Sequence, residues 1–406
     1  MSTATQAHEA SPARPDGGTL LAAYRPGPTS AFFAGPRGTL LTSGARRAVP
    51  DPADVAEALR EARAAGEPDP LVVGAIPFSP GRPARLCVPA TARWGAPAAE
   101  DPLLRLDVPA PADPRWRQRA VPAPEAYRAA VAEAVRLMAL EPELQKVVLA
   151  RTLELTAPGG ADLPTMLRRL IRRDPHGYTF AVPGYGEPSG SAAGGAEGAS
   201  TLVGASPELL LARRGPALVS NPLAGSAARG ADPAEDARRA TALLESPKDL
   251  HEHAVVVAAV RRALAPFCRS LTVPARPVLV RTAAMWHLST TVTGTLADPA
   301  TTALDLALAL HPTPAVCGTP TTRARQLIDE LEPFDRGLYS GVVGWQDGRG
   351  DGEWVVTLRC AEAQGDRLRL FAGAGVVAAS DPEAELAETG AKFGTFLNAV
   401  GLGSDS

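Results

Sequence analysis

No two cysteines of this chain share a CxxC spacing. Cys87, Cys268, Cys317 and Cys360 stand far apart, which excludes a zinc-ribbon pattern and a small disulfide framework. Reduced thiols and a cytoplasmic location are expected. No run of apolar residues is long enough to cross a bilayer. Met1 to Gly17 has neither the basic start nor the apolar stretch of a signal peptide, and reads as a flexible, Pro/Ala-rich tail. Charge of one sign is missing too: 41 Lys and Arg face 44 Asp and Glu, for a formal net charge of -3. That balance leaves no basic footprint for nucleic acid and no polybasic membrane patch. The expected partner is a small molecule. There is no internal repeat.

What is present is a 406-residue chain, 45% hydrophobic, with ample material for a core. It reads as a single domain over residues 18–406. Helix starts are marked by a polar cap followed by Pro at the first helical position. Asp232-Pro233 opens a helix to Glu245, and Ser246-Pro247 opens another through HEHAVVVAAVRRAL. Ser380-Asp381-Pro382-Glu383 opens a third, and further helices are predicted over Thr302–Leu310 and Arg323–Leu331. Predicted strands are Lys146–Leu155, Thr201–Ala212, Ala217–Ser220, Val278–Thr282, His287–Thr295, Gly341–Trp345, Glu353–Ala361 and Arg367–Val377. Pro109–Pro124 reads as a Pro-rich loop, and Pro183–Ser200 as a long, Gly-rich hairpin tip. Strands follow one another more often than they alternate with helices, so the fold class is α+β with antiparallel sheet.

Several polar residues could carry chemistry. Glu385, Glu388 and Lys392 share one helix face, and Lys248, Asp249 and Glu252 share another. Taken alone, the first triplet reads as a solvated charged face and the second, with Lys248 and Glu252 an i, i+4 pair, as a surface salt bridge. If the two helices met, their carboxylates would suit one hard cation such as magnesium. His251 and His253 are two apart and point to different helix faces, a poor metal pair. Lys146 lies among apolar residues in QKVVLAR, either as an edge lysine or as a desolvated base. Glu208 in GASPELLL is either a turn carboxylate or an acid of raised pKa. NPLAGS reads as a tight turn, and FAGAGVVAAS as a Gly-rich turn whose N–H groups could hold a carboxylate.

In order along the chain, QKVVLAR, GASPELL, NPLAGS, SPKDLHEHAVVV, HLSTTVTG, LHPTPAVCGTP, EPFDRGLYSGVVGW, VVTLRCA and FAGAGVVAASDPEAELAETGAK resemble the chorismate-utilising enzymes. The resemblance covers residues 123–402. It implies two large antiparallel sheets facing each other, flanked by helices, with the site between them. Lys146 stands where ammonia-using members carry glutamine, Ala224 where aminodeoxychorismate synthases carry a nucleophilic lysine, and HPTPAV at His311–Val316 is similar to isochorismate synthases of the catecholate-siderophore type.

The resemblance implies a magnesium-dependent conversion of chorismate to isochorismate. Lys146 would be the base that activates water, and Glu208 the acid that protonates the departing hydroxyl. Glu252 and Glu388 would bind magnesium directly, with Glu385 in support through water. Arg359 and the Gly373 backbone would hold a substrate carboxylate, with Tyr339 and Lys392 nearby. Gly225 and Ser226 would contact the substrate, and Ala315 and Val316 would shape the wall. A monomer is implied, with a 2,3-dihydroxybenzoate or siderophore pathway downstream, or menaquinone. A salicylate synthase that goes on to eliminate pyruvate is the nearest alternative; a non-catalytic chorismate-binding protein is the alternative of another class.

Overall fold

Many strands of this chain do not alternate. AFFAG, LVVGAI, YTFAVP and TLVGAS are buried at every position. A strand takes such a run only where both of its faces are covered.

The computed structural model describes residues 15–106, 116–185 and 200–402. In chain order these form α1 (Gly17–Ala23), β1 (Ala31–Gly35), β2 (Gly38–Val49), α2 (Val55–Ala64), β3 (Leu71–Ile76) and β4 (Arg85–Gly95). Then come β5 (Arg117–Val121), α3 (Pro124–Leu140), β6 (Lys146–Thr156), α4 (Leu163–Arg173), β7 (Tyr178–Pro183) and β8 (Thr201–Ser206). The middle of the chain gives β9 (Leu209–Arg214), β10 (Ala217–Asn221), β11 (Leu223–Ala228), α5 (Pro233–Glu245), α6 (Pro247–Leu264) and β12 (Cys268–Thr272). After them lie β13 (Val278–Arg281), β14 (Met285–Ser289), β15 (Val292–Leu296), α7 (Ala303–Leu310), β16 (Gly318–Thr319) and α8 (Thr321–Leu331). The last elements are β17 (Val342–Asp347), β18 (Gly352–Val356), β19 (Cys360–Gln364), β20 (Arg367–Val376) and α9 (Pro382–Ala399).

All pairings among the described residues are antiparallel. One ladder runs β12-β15-β10-β9-β18-β17-β3-β4-β2-β1-β7-β8-β19-β20-β6, and β5 and β16 share the far edge of β6. A small second sheet has the order β11-β14-β13. The expected two facing layers are therefore one sheet folded back on itself, hydrogen-bonded through β2. Phe33, Phe180, Val343, Trp345, Val355 and Phe371 fill the space between its halves. Helices α2, α6 and α7 cover the outer face of one half. Helices α1, α4 and α9 cover the other.

The predicted helix starts hold. Asp232, Ser246 and Asp381 each accept a backbone N–H three residues on, and Thr302 closes a capping box with Asp305. Helix α8 begins at Thr321, two residues early. Three predicted strands are each two strands. Thr201–Ala212 breaks at Pro207-Glu208, His287–Thr295 at Thr290-Thr291, and Glu353–Ala361 at Thr357–Arg359. The Pro109–Pro124 stretch is not all loop, since it contains β5 and residue one of α3; residues 107–115 lie outside the described set. Strands β7 and β8 pair up to Pro183 and Thr201 as a hairpin should, while its tip, 186–199, also lies outside. Of the predicted tail, residues 1–14 lie outside; the Pro15 carbonyl accepts from Ala96 N–H, and Gly17 is buried in α1.

Phe180 shows how tightly its ring packs over the neighbouring strand. Its side chain is fully buried, and a Cβ on Gly204 in the adjacent strand would stand 2.2 Å from its ring. Phe180→Ala should destabilise the fold by about 3–5 kcal/mol in denaturant unfolding. A loss below about 1 kcal/mol would mean that the layers close over the gap.

Candidate active site

Two of these breaks, at Pro207-Glu208 and Thr357–Arg359, lie where the chain passes from one half of the folded sheet to the other, while the third, at Thr290-Thr291, leads from the small sheet into the large one. Strand β8 pairs with β7 and β19, whereas β9 pairs with β10 and β18. Strands β18 and β19 make the same crossing beside them. At the crossings the backbone is tied by Val356 N–H to the Glu208 carbonyl at 3.1 Å, and by Ala205 N–H to the Arg359 carbonyl at 3.0 Å. Arg359 holds φ at 43°, a left-handed conformation that is costly for a residue with a long side chain. The two crossings thus carry Glu208 and Arg359 into one cavity.

Other elements close around it. Strand β11 supplies Gly225 and Ser226, helix α6 supplies Lys248, Asp249 and Glu252, and α9 supplies Glu388 and Lys392. Ala315, Val316, Tyr339 and Gly373 complete the walls, with Phe371 stacked on Tyr339 at 5.0 Å. Two predicted residues stand just behind the lining. Lys146 is 2% exposed and its Nζ lies 2.8 Å from Glu252 Oε1. Glu385 is 2% exposed and accepts from Lys248 Nζ at 3.3 Å.

Several local readings need correction. Lys248 and Glu252 do not pair with each other along α6: Lys248 reaches Glu385 across to α9, and Glu252 reaches Lys146 on β6. Neither helix triplet is a solvated face. FAGAGV is not a turn but the end of β20, in register with β6 from Thr152 to Val147. NPLAGS is not a tight turn alone, because Leu223–Ala228 is strand β11, with its register shifting at Gly225. Gly225 has φ 77°, and a Cβ there would come within 3.1 Å of Asp249 Cβ, so glycine lets α6 approach. Gly375 is needed for a different reason: a Cβ would stand 2.6 Å from Glu252 Oε1. His253 is no ligand; its ring spans the Ala224 carbonyl and Thr290 Oγ1.

His287 was not singled out by sequence. It lines the cavity from β14, and Arg359 Nη2 donates to its Nε2. Burial and the Arg359 charge hold the imidazole well below its usual pKa, so it is neutral and can accept. Its only signal was its place in HLSTTVTG, and one histidine in a strand run has no distinguishing pattern.

The electrostatics separate the carboxyls. Burial pushes Glu208 up to about 7, against the opposing pull of Leu223 N–H, Lys146, Arg359 and Lys392. Among the described residues Glu208 has no ion pair; Leu223 N–H donates to it at 3.4 Å. Burial also raises Glu388, but Lys392 at 2.6 Å and Ser226 Oγ at 2.9 Å outweigh it and hold the carboxyl below its usual range. Burial, aided by the charge of Glu388, raises Glu385 despite Lys248. Burial brings Arg359 down to about 10.

Among the described residues no three His, Cys, Asp or Glu side chains close around a shared point. Glu252 and Glu388 nevertheless flank the same cavity from two helices. Two carboxylates, with the His287 nitrogen already accepting from Arg359, suit a hard cation that completes its sphere with water and substrate oxygens, as magnesium does. All four cysteines are free, and no described helix is long and apolar enough to cross a membrane.

Residues 105–401 match the family model described as "Chorismate binding enzyme". The chain is 50% identical to isochorismate synthase DhbC of Bacillus subtilis, over 94% of this chain and 96% of that protein. It is 40% identical to isochorismate synthase EntC of Escherichia coli K12, over 92% and 95%. A crystal structure described as a putative 2,3-dihydroxybenzoate-specific isochorismate synthase, DhbC from Bacillus anthracis, superposes with a TM-score of 0.86 at 47% identity, covering 95% of this chain and 99% of that one.

The raised pKa of Glu208 has a measurable sign. A carboxyl that goes from 4.5 to about 7 on folding contributes stability that is full below about pH 4.5 and lost as pH rises through about 7. Glu208→Gln keeps an acceptor for Leu223 N–H and cannot ionise. Between about pH 5 and pH 8 its stability should improve relative to the parent by roughly 2 to 3 kcal/mol. Denaturant unfolding of both proteins measures this, and a difference independent of pH would mean that Glu208 ionises in the fold as freely as in the unfolded chain.

Proposed function

Since the chain belongs to the chorismate-binding enzyme family, we propose that it is an isochorismate synthase, which converts chorismate to isochorismate by adding water to the ring and releasing a ring hydroxyl. The observation that carries this reading is the pair Lys146 and Glu208. Both side chains are 2% exposed, Glu208 in the cavity lining and Lys146 just behind it, yet their environments differ: the lysine has a carboxylate partner, and the carboxyl has no ion partner among the described residues and is pushed towards its protonated form.

The chemistry needs one group of each kind. Water must lose a proton as its oxygen bonds to the ring carbon next to the carboxylate-bearing carbon. Lys146, in its neutral form, takes that proton. The double bonds shift and the hydroxyl across the ring leaves. Hydroxide is a poor leaving group, so Glu208 donates a proton and the group departs as water. One water enters and one leaves, so the net change is an isomerisation. Arg359, held by His287, offers its guanidinium to a substrate carboxylate. Gly225, Ser226, Tyr339, Gly373 and Lys392 contact the rest of the substrate, and Ala315 and Val316 bound it.

Glu252 and Glu388 would hold magnesium, supported by Glu385, and the ion would bind the ring carboxylate and draw electron density towards it. Its arrival would displace the lysine partners these carboxylates now have. The protein would act as a cytoplasmic monomer. The name of the Bacillus anthracis neighbour supports 2,3-dihydroxybenzoate as the destination of the product.

Purified protein with chorismate and magnesium should yield isochorismate on chromatography, and EDTA should stop turnover. Lys146→Ala and Glu208→Gln should each lower kcat by at least ~100-fold while chorismate still binds. Salicylate and pyruvate as the main products would make the enzyme a salicylate synthase, and near-normal turnover by Lys146→Ala would remove the lysine from the mechanism.

A further inference from the structure

We propose that the buried Arg336–Glu332 pair positions the reacting groups, by standing in for a missing stretch of strand beside β6 and fixing that strand against the Val316 wall. This inference rests on the isochorismate synthase reading of the site.

The outer edge of β6 is covered at both ends but not between. Strand β16 pairs with Lys146 and Val147, and β5 pairs with Thr152 to Thr156. Past Val147 the neighbouring chain leaves: Val148 N–H still donates to the Cys317 carbonyl at 2.8 Å, and nothing of β16 follows. Two buried backbone groups then face the gap, the Val148 carbonyl and the Ala150 N–H. A partner strand would offer them a donor and an acceptor. The side-chain pair does so instead. Arg336 Nη2 donates to the Val148 carbonyl at 2.7 Å, and Glu332 Oε1 accepts Ala150 N–H at 2.7 Å.

The same guanidinium has a second reach. Its Nη1 donates to the Val316 carbonyl at 2.8 Å. Its Nε donates to Glu332 Oε2 at 2.8 Å, and its plane lies over the Phe78 ring, 4.5 Å from the centroid. The Arg336 carbonyl accepts Tyr339 N–H at 2.9 Å. Val148, Val316 and Tyr339 all line the cavity, from three separate segments. Lys146 is two residues from Val148 on the strand that is held. One planar fork therefore carries the tie between the strand of the base and the Val316 wall past Cys317, where the direct hydrogen bonds between the two segments end.

A buried ion pair is weak evidence of stability, because apolar residues of equal volume often do as well. Apolar residues could not meet the Val148 carbonyl or the Ala150 N–H. Lysine could not replace arginine either, since one ammonium on a flexible stem lacks the fixed fork that bridges two carbonyls and a carboxylate. Arg336→Lys keeps the charge opposite Glu332 and loses the bridge.

The test is a kcat against KM split on the full chain with chorismate and magnesium. Arg336→Lys, folded by circular dichroism, should lose about 10- to 100-fold in kcat with KM changed less than about threefold, because misplacement harms the reacting geometry more than binding. Glu332→Gln keeps one oxygen for Ala150 N–H and Arg336 Nη2 but sets an amide N–H2 against Arg336 Nε, so it should also lose kcat, to a smaller extent. A folded Arg336→Lys enzyme with parental kcat overturns the inference. So does a loss that only follows the folded fraction. Should Arg336→Lys fail to fold, Glu332→Gln decides by the same split: a kcat loss at steady KM supports the clamp, and parental kcat overturns it. If the parent enzyme makes a product other than isochorismate, the functional reading fails, while the split measured on that product still tests the clamp.

Discussion

An ion shut between two apolar layers must find an opposite charge or give up its own. The groups around this cavity divide along that line. Lys146, Lys392 and Lys248 each hold a carboxylate, Glu252, Glu388 and Glu385 in turn. Arg336 holds Glu332. Among the described residues Glu208 and His287 have no ion of opposite sign within bonding reach, and burial drives both towards neutrality. A carboxyl that keeps its proton near neutral pH and an imidazole that lends a lone pair to a guanidinium are two results of one rule. Arg359 apart, which keeps its charge beside the neutral His287, charge at the site has been either balanced or suppressed, and the difference between those outcomes assigns each group its use.

The folded-over sheet decides where those groups meet. A strand that crosses from one half to the other must interrupt its ladder, and the interrupted residues turn their side chains into the space between. Two neighbouring strands cross side by side, so Glu208 and Arg359 arrive together although they are distant in sequence. The helices of the outer layers bring charge from either side: α6 is let in by the bare Gly225, and Glu252 by the bare Gly375. Backbone interruption, which would be a weakness elsewhere, is here met by specific partners. Glu208 is tied through its own carbonyl, Arg359 through its carbonyl, and the edge of β6 through Glu332 and Arg336.

What the sequence made legible was local. Helix starts at Asp232, Ser246 and Thr302 were readable because a cap acts within three residues. The three broken strands were not: in TLVGASPELLLA the short Ser206-Pro207-Glu208 interruption lies between two apolar runs that read as one strand, and the crossing is dictated by partners elsewhere in the chain. Lys248 and Glu252 illustrate the same limit: their spacing suggested a pair on one helix, and each went to a partner on another element. The site residues came from the ordered motifs as a set, and the cavity gathers them, with Lys146 and Glu385 just behind its lining. His287 escaped because a single histidine in a strand looks like any other.

The register of β6 with β20 joins the middle of the chain to its end, Val147 opposite Val376. Every turn of α9 that carries Glu385, Glu388 and Lys392 follows directly from that last strand. Contacts of such long sequence separation close late, because loop entropy must be overcome before they are rewarded. On a ribosome, the lysine strand would emerge long before the strand it lies against, and its buried ammonium would wait in water. The site is therefore complete only once β20 and α9 have been made and have folded back onto the rest.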